Sequence, residues 1–270
     1  MIKENFHTHS IYCDGKNTPE EMVKAAVNLG FNALGFSGHC KISSFESNWS
    51  MSDDRTDNYI NAVTKLRNEY KDKINIYIGT ELDYFSEVDM SRYDYTIASV
   101  HYLNQGNEQQ PIDTSLAIQQ KDADKYFGGS LIDYSVDYYR YVGDILNKFD
   151  ADIIGHFDLV TKFNEGDCAF DTKDKKYVNA WHDAVDALIP FNKPFEINTG
   201  AIARGYRKTP YPAFDIADYI AEKGGYFIVT SDCHDCNFLD CNYKETFELY
   251  KNYDIISFDE YLRNKEKNND

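Results

Sequence analysis

Seven short apolar runs, separated for the most part by amphipathic helical patterns, constrain this chain more than any other feature of its sequence. They span residues 1–6, 33–37, 74–80, 93–100, 152–155, 194–198 and 226–231. Strands that alternate with helices build a parallel sheet or barrel, and the carboxyl ends of all its strands open onto one face. Six of the seven ends deliver ligand-type side chains: His7 and His9, then His39, Glu81, His101, His156 with Asp158, and Asp232 with His234. Side chains distant in sequence are thereby expected at one place. The exception, run 194–198, leads into a loop carrying Arg204, Arg207 and Lys208, which reads as an anion contact.

The intervening helices carry their own signatures. Thr18-Pro19-Glu20-Glu21 supplies an N-cap, a first-turn proline and the glutamate of a capping box. It predicts a helix from Thr18 to Leu29 with Met22, Ala25, Ala26 and Leu29 on the apolar face. Comparable patterns predict helices over 54–71, 133–148, 172–189, 213–223 and 243–250. Two stretches, 41–53 and 104–120, fit neither pattern and read as irregular segments of the functional face, where lids and specificity loops are often found. The 270 residues fit a single domain over 1–270, because such barrels commonly run to about 250 residues as one unit.

Charge and composition limit the partners. Lys and Arg number 28 against 45 Asp and Glu, a formal charge of −17 with no basic block, which disfavours a nucleic-acid partner. There is no apolar signal stretch at the start and no run long enough for a membrane span, so a cytoplasmic protein is expected. The six cysteines (Cys13, Cys40, Cys168, Cys233, Cys236 and Cys241) then read as reduced thiols. A zinc knuckle from Asp232, Cys233, His234, Asp235, Cys236 and Cys241 is conceivable, but small side chains packed beneath the strand ends are the better reading.

The histidines carry the chemistry. Taken singly, a histidine at a strand end is more often a hydrogen-bonded structural residue than a ligand. Six together with carboxylates do not fit core packing, because each would bury a polar group at a cost without purpose. His7-Thr8-His9 puts two imidazoles on one side of an extended backbone, suited to a single ion. Mixed imidazole and carboxylate donors suit zinc, manganese, iron or cobalt better than magnesium or calcium. The nine candidates His7, His9, Asp14, His39, Glu81, His101, His156, Asp232 and His234 exceed the needs of one tetrahedral ion, so two or three divalent ions share them. Such a cluster suits hydrolysis of phosphate esters. His182 stands apart in the predicted helix 172–189 and reads as a surface residue beside Asp186.

The ordered motifs His7-Thr8-His9 with Cys13-Asp14-Gly15, Gly38-His39, Gly79-Thr80-Glu81, Ser99-Val100-His101, Gly155-His156-Phe157-Asp158 and Ser231-Asp232-Cys233-His234 span nearly the whole chain. Together they resemble the PHP (polymerase and histidinol phosphatase) superfamily, and within it the histidinol-phosphatase branch. The resemblance implies a distorted seven-stranded, TIM-like (β/α) barrel holding three metal ions at the carboxyl ends of the strands. It implies that His7, His9, Glu81 and Asp232 surround one ion, that Glu81 with His101 and His156 holds a second, and that Asp14, His39 and His234 hold the third. Residues 198–204 resemble the branch's phosphate-binding loop, with Arg204 as the first contact, Arg207 as a further one, and Lys162 where an arginine is expected. The implied reaction is hydrolysis of L-histidinol phosphate, in histidine biosynthesis, by a metal-bridging hydroxide. Asp232, His234 or a metal-bound water would deliver the leaving-group proton, and Glu46, Trp49 and Tyr102 are candidates for reading the amine and imidazole. The rival readings are another phosphoesterase of the superfamily, such as a protein-tyrosine or broad small-molecule phosphatase, and a non-catalytic metal-binding protein.

Overall fold

The computed structural model describes residues 2–42, 49–106 and 108–269. Strands β1 (Glu4–Asn5), β2 (Ala33–Phe36), β3 (Asn75–Asp83) and β4 (Tyr95–Ser99) pair in parallel, followed by an antiparallel hairpin of β5 (Tyr102–Gln105) and β6 (Glu108–Pro111). The parallel order then resumes from β4 to β7 (Ile153–Ile154), β8 (Phe195–Asn198) and β9 (Phe227–Thr230), giving one sheet of seven strands. Its two edges meet just beyond the strand ends. The His9 N–H donates to the Cys233 carbonyl (2.8 Å) and the Cys233 N–H to the His7 carbonyl (3.0 Å), a parallel bridge that rolls the sheet into a barrel. Lower down, the Asn5 amide spans the same seam by donating to Ser231 Oγ (2.6 Å). The strand and helix pattern leaves a parallel sheet or a barrel open; the structure is the seven-stranded α/β barrel that the resemblance implies.

The outer helices are α1 (Pro19–Asn28), α2 (Asp53–Tyr70), α3 (Leu116–Tyr126), α4 (Leu131–Lys148), α5 (Lys175–Leu188), the single turn α6 (Gly200–Ala203), α7 (Phe214–Glu222), α8 (Tyr243–Leu249) and α9 (Phe258–Asn269). The start of α1 follows the sequence prediction: Glu21 N–H donates to Thr18 Oγ1 (3.3 Å) while Thr18 N–H donates to Glu21 Oε2 (2.8 Å). Its buried face differs by one step, with Val23 inside and Leu29 exposed. Segment 104–120 is not irregular: it holds most of the β5–β6 hairpin and the first turn of α3. The hairpin strands are polar and largely surface-lying, so they lack the apolar alternation that marks a strand. The buried face of α3 contains Gln119, which donates to the Ile112 and Val160 carbonyls (2.8 and 3.1 Å), so its helical stripe is hidden from a count of apolar residues. Helix α9 escaped prediction for the same reason, offering chiefly Phe258 and Leu262 to the core.

Those two residues close the barrel floor. Phe258 and Leu262 pack with Phe6, Ala33, Tyr77, Tyr95, Ile97, Ile153 and Ile228, each large buried aliphatic or aromatic side chain contributing roughly 1.5–3 kcal/mol. The α9 amino end is fixed by Glu4, whose carboxylate accepts from the Phe258 N–H (2.5 Å) and Ser257 Oγ (2.8 Å). Above the floor, Tyr95 donates to the Phe6 and Phe36 carbonyls (2.6 and 3.1 Å). Gly79 gives that ring its space, since a Cβ there would lie 2.3 Å from it. The alternation of β3 explains what comes next: Tyr77, Gly79, Glu81 and Asp83 share one face, so the strand that builds the floor also lifts two carboxylates to the open end.

Candidate metal centre

All nine candidate ligands converge at the carboxyl end of the barrel. Glu81 is the hub. Its Oε2 lies 2.9 Å from His39 Nδ1, 3.2 Å from His7 Nε2 and 3.5 Å from His9 Nε2, while its Oε1 lies 2.9 Å from His156 Nε2 and 3.3 Å from His101 Nε2. Asp232 Oδ1 stands 3.3 Å from His9 Nε2 and 3.6 Å from His7 Nε2, and Asp14 Oδ2 stands 3.2 Å from His234 Nε2 and 3.7 Å from His39 Nε2. Four overlapping sets have their ligand atoms within 4.8 Å of one another: His9, Asp14, His39 and His234; His7, His9 and Asp232; His7, Glu81 and His156; His39, Glu81 and His101. Asp232 reaches inward from a left-handed backbone (φ 45°), an uncommon conformation for a non-glycine residue that is often found at functional sites.

The donor atoms fit a divalent cation. His7 Nε2, His9 Nε2 and Glu81 Oε2 are fully buried and make no hydrogen bond, a costly arrangement for polar atoms unless something else meets them. Electrostatics agree. Burial drives His9 down to about 3, helped by His234 and His39, which keeps its imidazole neutral and able to ligate. Burial pulls His7 down too, but Glu196, Glu81 and Asp232 outweigh it and hold that imidazole well above its ordinary value. His101 is likewise raised by Glu81 and Asp83 against burial. Burial works to raise Glu81, yet His7, His39 and His101 hold it well below the usual carboxylate range. The carboxylate charge is thus met by protons on imidazoles, protons that binding of a cation displaces.

A second layer fixes the imidazoles. Glu196, wholly buried on β8, accepts from His7 Nδ1 (2.6 Å) and Thr230 Oγ1 (2.6 Å) on one oxygen and from the His156 N–H (2.8 Å) and Asn198 Nδ2 (2.9 Å) on the other. Asp83 accepts from the His101 N–H (2.7 Å) and lies 3.5 Å from its ring Nδ1. A search confined to residues just past the strand ends overlooks both, because they sit inside strands. The signal was present in Phe195-Glu196-Ile197-Asn198, where a carboxylate within an apolar strand must be buried and paired. The cysteines are all free, and none belongs to a ligand set among the described residues. Burial pushes the Cys13, Cys40 and Cys233 thiols up to about 12, as suits small packing residues. His182 is half-buried on α5 and stacks on Tyr219 (4.0 Å between ring centres), remote from the cluster.

A cavity of about 370 Å³ opens over the cluster. Its far side is formed by Trp49, Tyr102, Asp113, Thr114, Leu159, Lys162 and Arg204. Arg204 donates through Nη2 to Asp232 Oδ2 (2.7 Å) and stands 3.1 Å through Nη1 from His234 Nδ1. Gly200 makes this approach possible, because a Cβ there would lie 2.8 Å from the Asp232 side chain and 3.0 Å from the guanidinium. Lys162 donates to the Asp113 carbonyl (3.0 Å) and carboxylate (3.2 Å). Trp49 packs edge-on against His39 and parallel to Tyr102. Glu46 lies outside the described residues. Arg207 does not line this cavity: its guanidinium is buried against Asp158 Oδ2 (3.2 Å) and Thr161 Oγ1, over the Tyr211 ring. Lys208 is exposed.

The family model for the PHP domain matches residues 5–200. A protein of Schizosaccharomyces pombe named "Probable histidinol-phosphatase" is 28% identical over 261 residues, covering 88% of this chain and 82% of its own. Among solved structures, the hisK protein of Listeria monocytogenes superposes with a TM-score of 0.77 at 20% identity, covering 90% of this chain and 99% of its own. The histidinol phosphate phosphatase of Lactococcus lactis, complexed with zinc, L-histidinol and phosphate, gives 0.69 at 20% identity, with 94% and 95% covered.

Proposed function

We propose that this chain, which belongs to the PHP domain family, is a phosphoric monoester hydrolase that converts L-histidinol phosphate and water to L-histidinol and phosphate. The observation that carries the reading is one cavity lined by seven of the nine clustered imidazoles and carboxylates together with two cations, Arg204 and Lys162. The likeness to the S. pombe and L. lactis proteins narrows the substrate. We assign His7, His9, Asp14, His39, Glu81, His101, His156, Asp232 and His234 as ligands of two or three zinc, manganese or iron ions, within a single domain over residues 1–270. The six free cysteines favour the cytoplasm.

Bound there, divalent ions would supply Lewis acidity and a hydroxide near neutral pH. The remaining work falls to the protein. Arg204, held in place by Asp232, presents its guanidinium to the phosphate oxygens, a planar fork suited to that group. Lys162 adds a point charge elsewhere in the cavity lining. The departing alkoxide would take its proton from Asp232, His234 or a water at the site; burial raises Asp232 but Arg204 and His7 hold it ionised, which favours His234 or the water. Trp49 and Tyr102 offer a flat wall to the imidazole. The acidic surface is no obstacle, since ions bound at the site would be its largest local charges.

The test is phosphate release from L-histidinol phosphate beside p-nitrophenyl phosphate, a phosphotyrosine peptide and a dinucleotide, with protein reconstituted with Mn²⁺ or Zn²⁺. L-Histidinol phosphate is expected to lead by orders of magnitude in kcat/KM. Equal rates would overturn the substrate assignment in favour of a broad phosphatase, and no hydrolysis with metal bound would overturn the enzymatic reading.

A further inference from the structure

Among the described residues lining the cavity, Asp113 is the one carboxylate outside the imidazole cluster. It stands between β6 and α3, on a segment anchored from both sides: Ile112 N–H donates to the His101 carbonyl (2.9 Å), and Gln119 holds the Ile112 carbonyl. Its partner is Lys162, which grips both its carbonyl and its carboxylate. For an enzyme that takes any phosphate ester this pairing is counterproductive. It cancels the charge of a lysine that faces the substrate and sets a second negative charge against the incoming dianion.

The arrangement makes sense for a substrate with a cation of its own close to the phosphate. In a 2-amino alcohol phosphate the ammonium nitrogen is separated from phosphorus by four bonds, P–O, O–C, C–C and C–N. With bonds near 1.5 Å that places the ammonium within roughly 5 Å of phosphorus. A carboxylate that reads it must therefore sit beside the groups that hold the phosphate. Asp113 does so, 3.2 Å from the Lys162 ammonium. We propose that Asp113 is the specificity residue of this site: it binds the ammonium group of 2-amino alcohol phosphates and disfavours esters that lack one. The inference rests on the phosphomonoesterase reading and adds a chemical class to it. Lys162 then holds Asp113 in place before the substrate arrives, and the substrate ammonium shares the carboxylate afterwards.

The experiment compares wild type with Asp113→Asn on two matched pairs. One is L-histidinol phosphate and its amine-free analogue 3-(imidazol-4-yl)propyl phosphate; the other is phosphoethanolamine and ethyl phosphate. Wild type is expected to favour the amine in both. Asp113→Asn is expected to raise KM for the amine-bearing ester tenfold or more, while KM for the amine-free partner and Ki for inorganic phosphate stay level or fall, because Lys162 is released. Asp113→Glu, which keeps the charge, is expected to retain the preference. A residue that merely supports the cavity would raise all these constants together, and that result overturns the proposal, as does an unchanged preference ratio. If wild type treats L-histidinol phosphate no better than p-nitrophenyl phosphate, the assigned substrate falls by itself, and the phosphoethanolamine pair still decides Asp113. If no ester is hydrolysed, both fall.

Discussion

Glu196→Gln is nearly isosteric, yet it reverses one proton. Of the two oxygens of Glu196, one accepts from the His156 N–H and Asn198 Nδ2, the other from His7 Nδ1 and Thr230 Oγ1. Asn198 is fixed in orientation because its own Oδ1 accepts from the Gly200 N–H (2.8 Å). Both groups on the first side are thus obligate donors, and the glutamine carbonyl must face them. Its NH₂ then points at Thr230, whose hydroxyl can turn to accept, and at His7 Nδ1, which must give up its proton. The imidazole, which the surrounding carboxylates keep doubly protonated before metal binds, can then keep its hydrogen bond only as the neutral tautomer whose single proton sits on Nε2, the atom aimed at Glu81 and Asp232. Loss of such a supporting partner typically weakens metal binding 10–100-fold, or about 1.4–2.8 kcal/mol. The loss of charge assistance costs the fold about 1–2 kcal/mol. Competition titration with a chelator, beside thermal unfolding, measures both. The expected result is an affinity reduced in that range with activity recovered at saturating Zn²⁺, and nitrogen NMR of the metal-free variant reporting His7 protonated at Nε2 alone, where wild type carries both ring protons. Unchanged affinity with His7 still protonated at Nδ1 would refute the argument.

Two further perturbations test other parts of the structure. Arg207→Met strips a buried carboxylate, Asp158, of its cation, so a destabilisation of about 3–5 kcal/mol is expected in urea unfolding, largely recovered by adding Asp158→Asn. Where the variant is folded, kcat/KM should stay within about threefold; a selective rise in KM would return Arg207 to the phosphate site. Burial pushes the Glu4 carboxyl up to about 7, despite hydrogen bonds from Phe258 and Ser257 that lower it. The unfolded chain releases that proton near 4.5, so the folded state binds more protons between 4.5 and 7 and loses stability as pH rises through that window, by about 3 kcal/mol in all. Glu4→Gln should remove this slope when urea unfolding is compared at pH 5 and pH 8 with metal content held fixed, and an unaltered pH dependence would show that Glu4 is already ionised in the fold.

Much of the site is legible in the sequence because barrel topology converts a one-dimensional regularity into a location. Ligand-type residues at six strand ends have one face on which to meet, and all nine candidates lie there. Cys13, Cys40 and Cys233 beneath the strand ends and His182 on its helix were legible on similar grounds. The elements that escaped were those whose partners are polar or distant. Gln119 holds α3 through two carbonyls, and α9 depends on a barrel floor made by residues from five strands and the Phe6 that follows β1.

The sequence by itself determined the alternation of strand and helix, the donor types at the strand ends and the presence of a cationic loop after 194–198, since these depend on local periodicity and residue chemistry. Tertiary structure decided which cation serves which site. Arg204 and Arg207 are three residues apart on one loop, yet Gly200 lets the first lie against Asp232 while Asp158 and Tyr211 draw the second into a different cavity. It also decided that Glu196 backs His7 and that Asp113 meets Lys162, pairings 189 and 49 residues apart in the chain. The physical reason is range: periodicity reports a side chain's own element, whereas the partner of a buried charge is set by how separate elements pack, and only the folded barrel brings those elements within hydrogen-bonding distance.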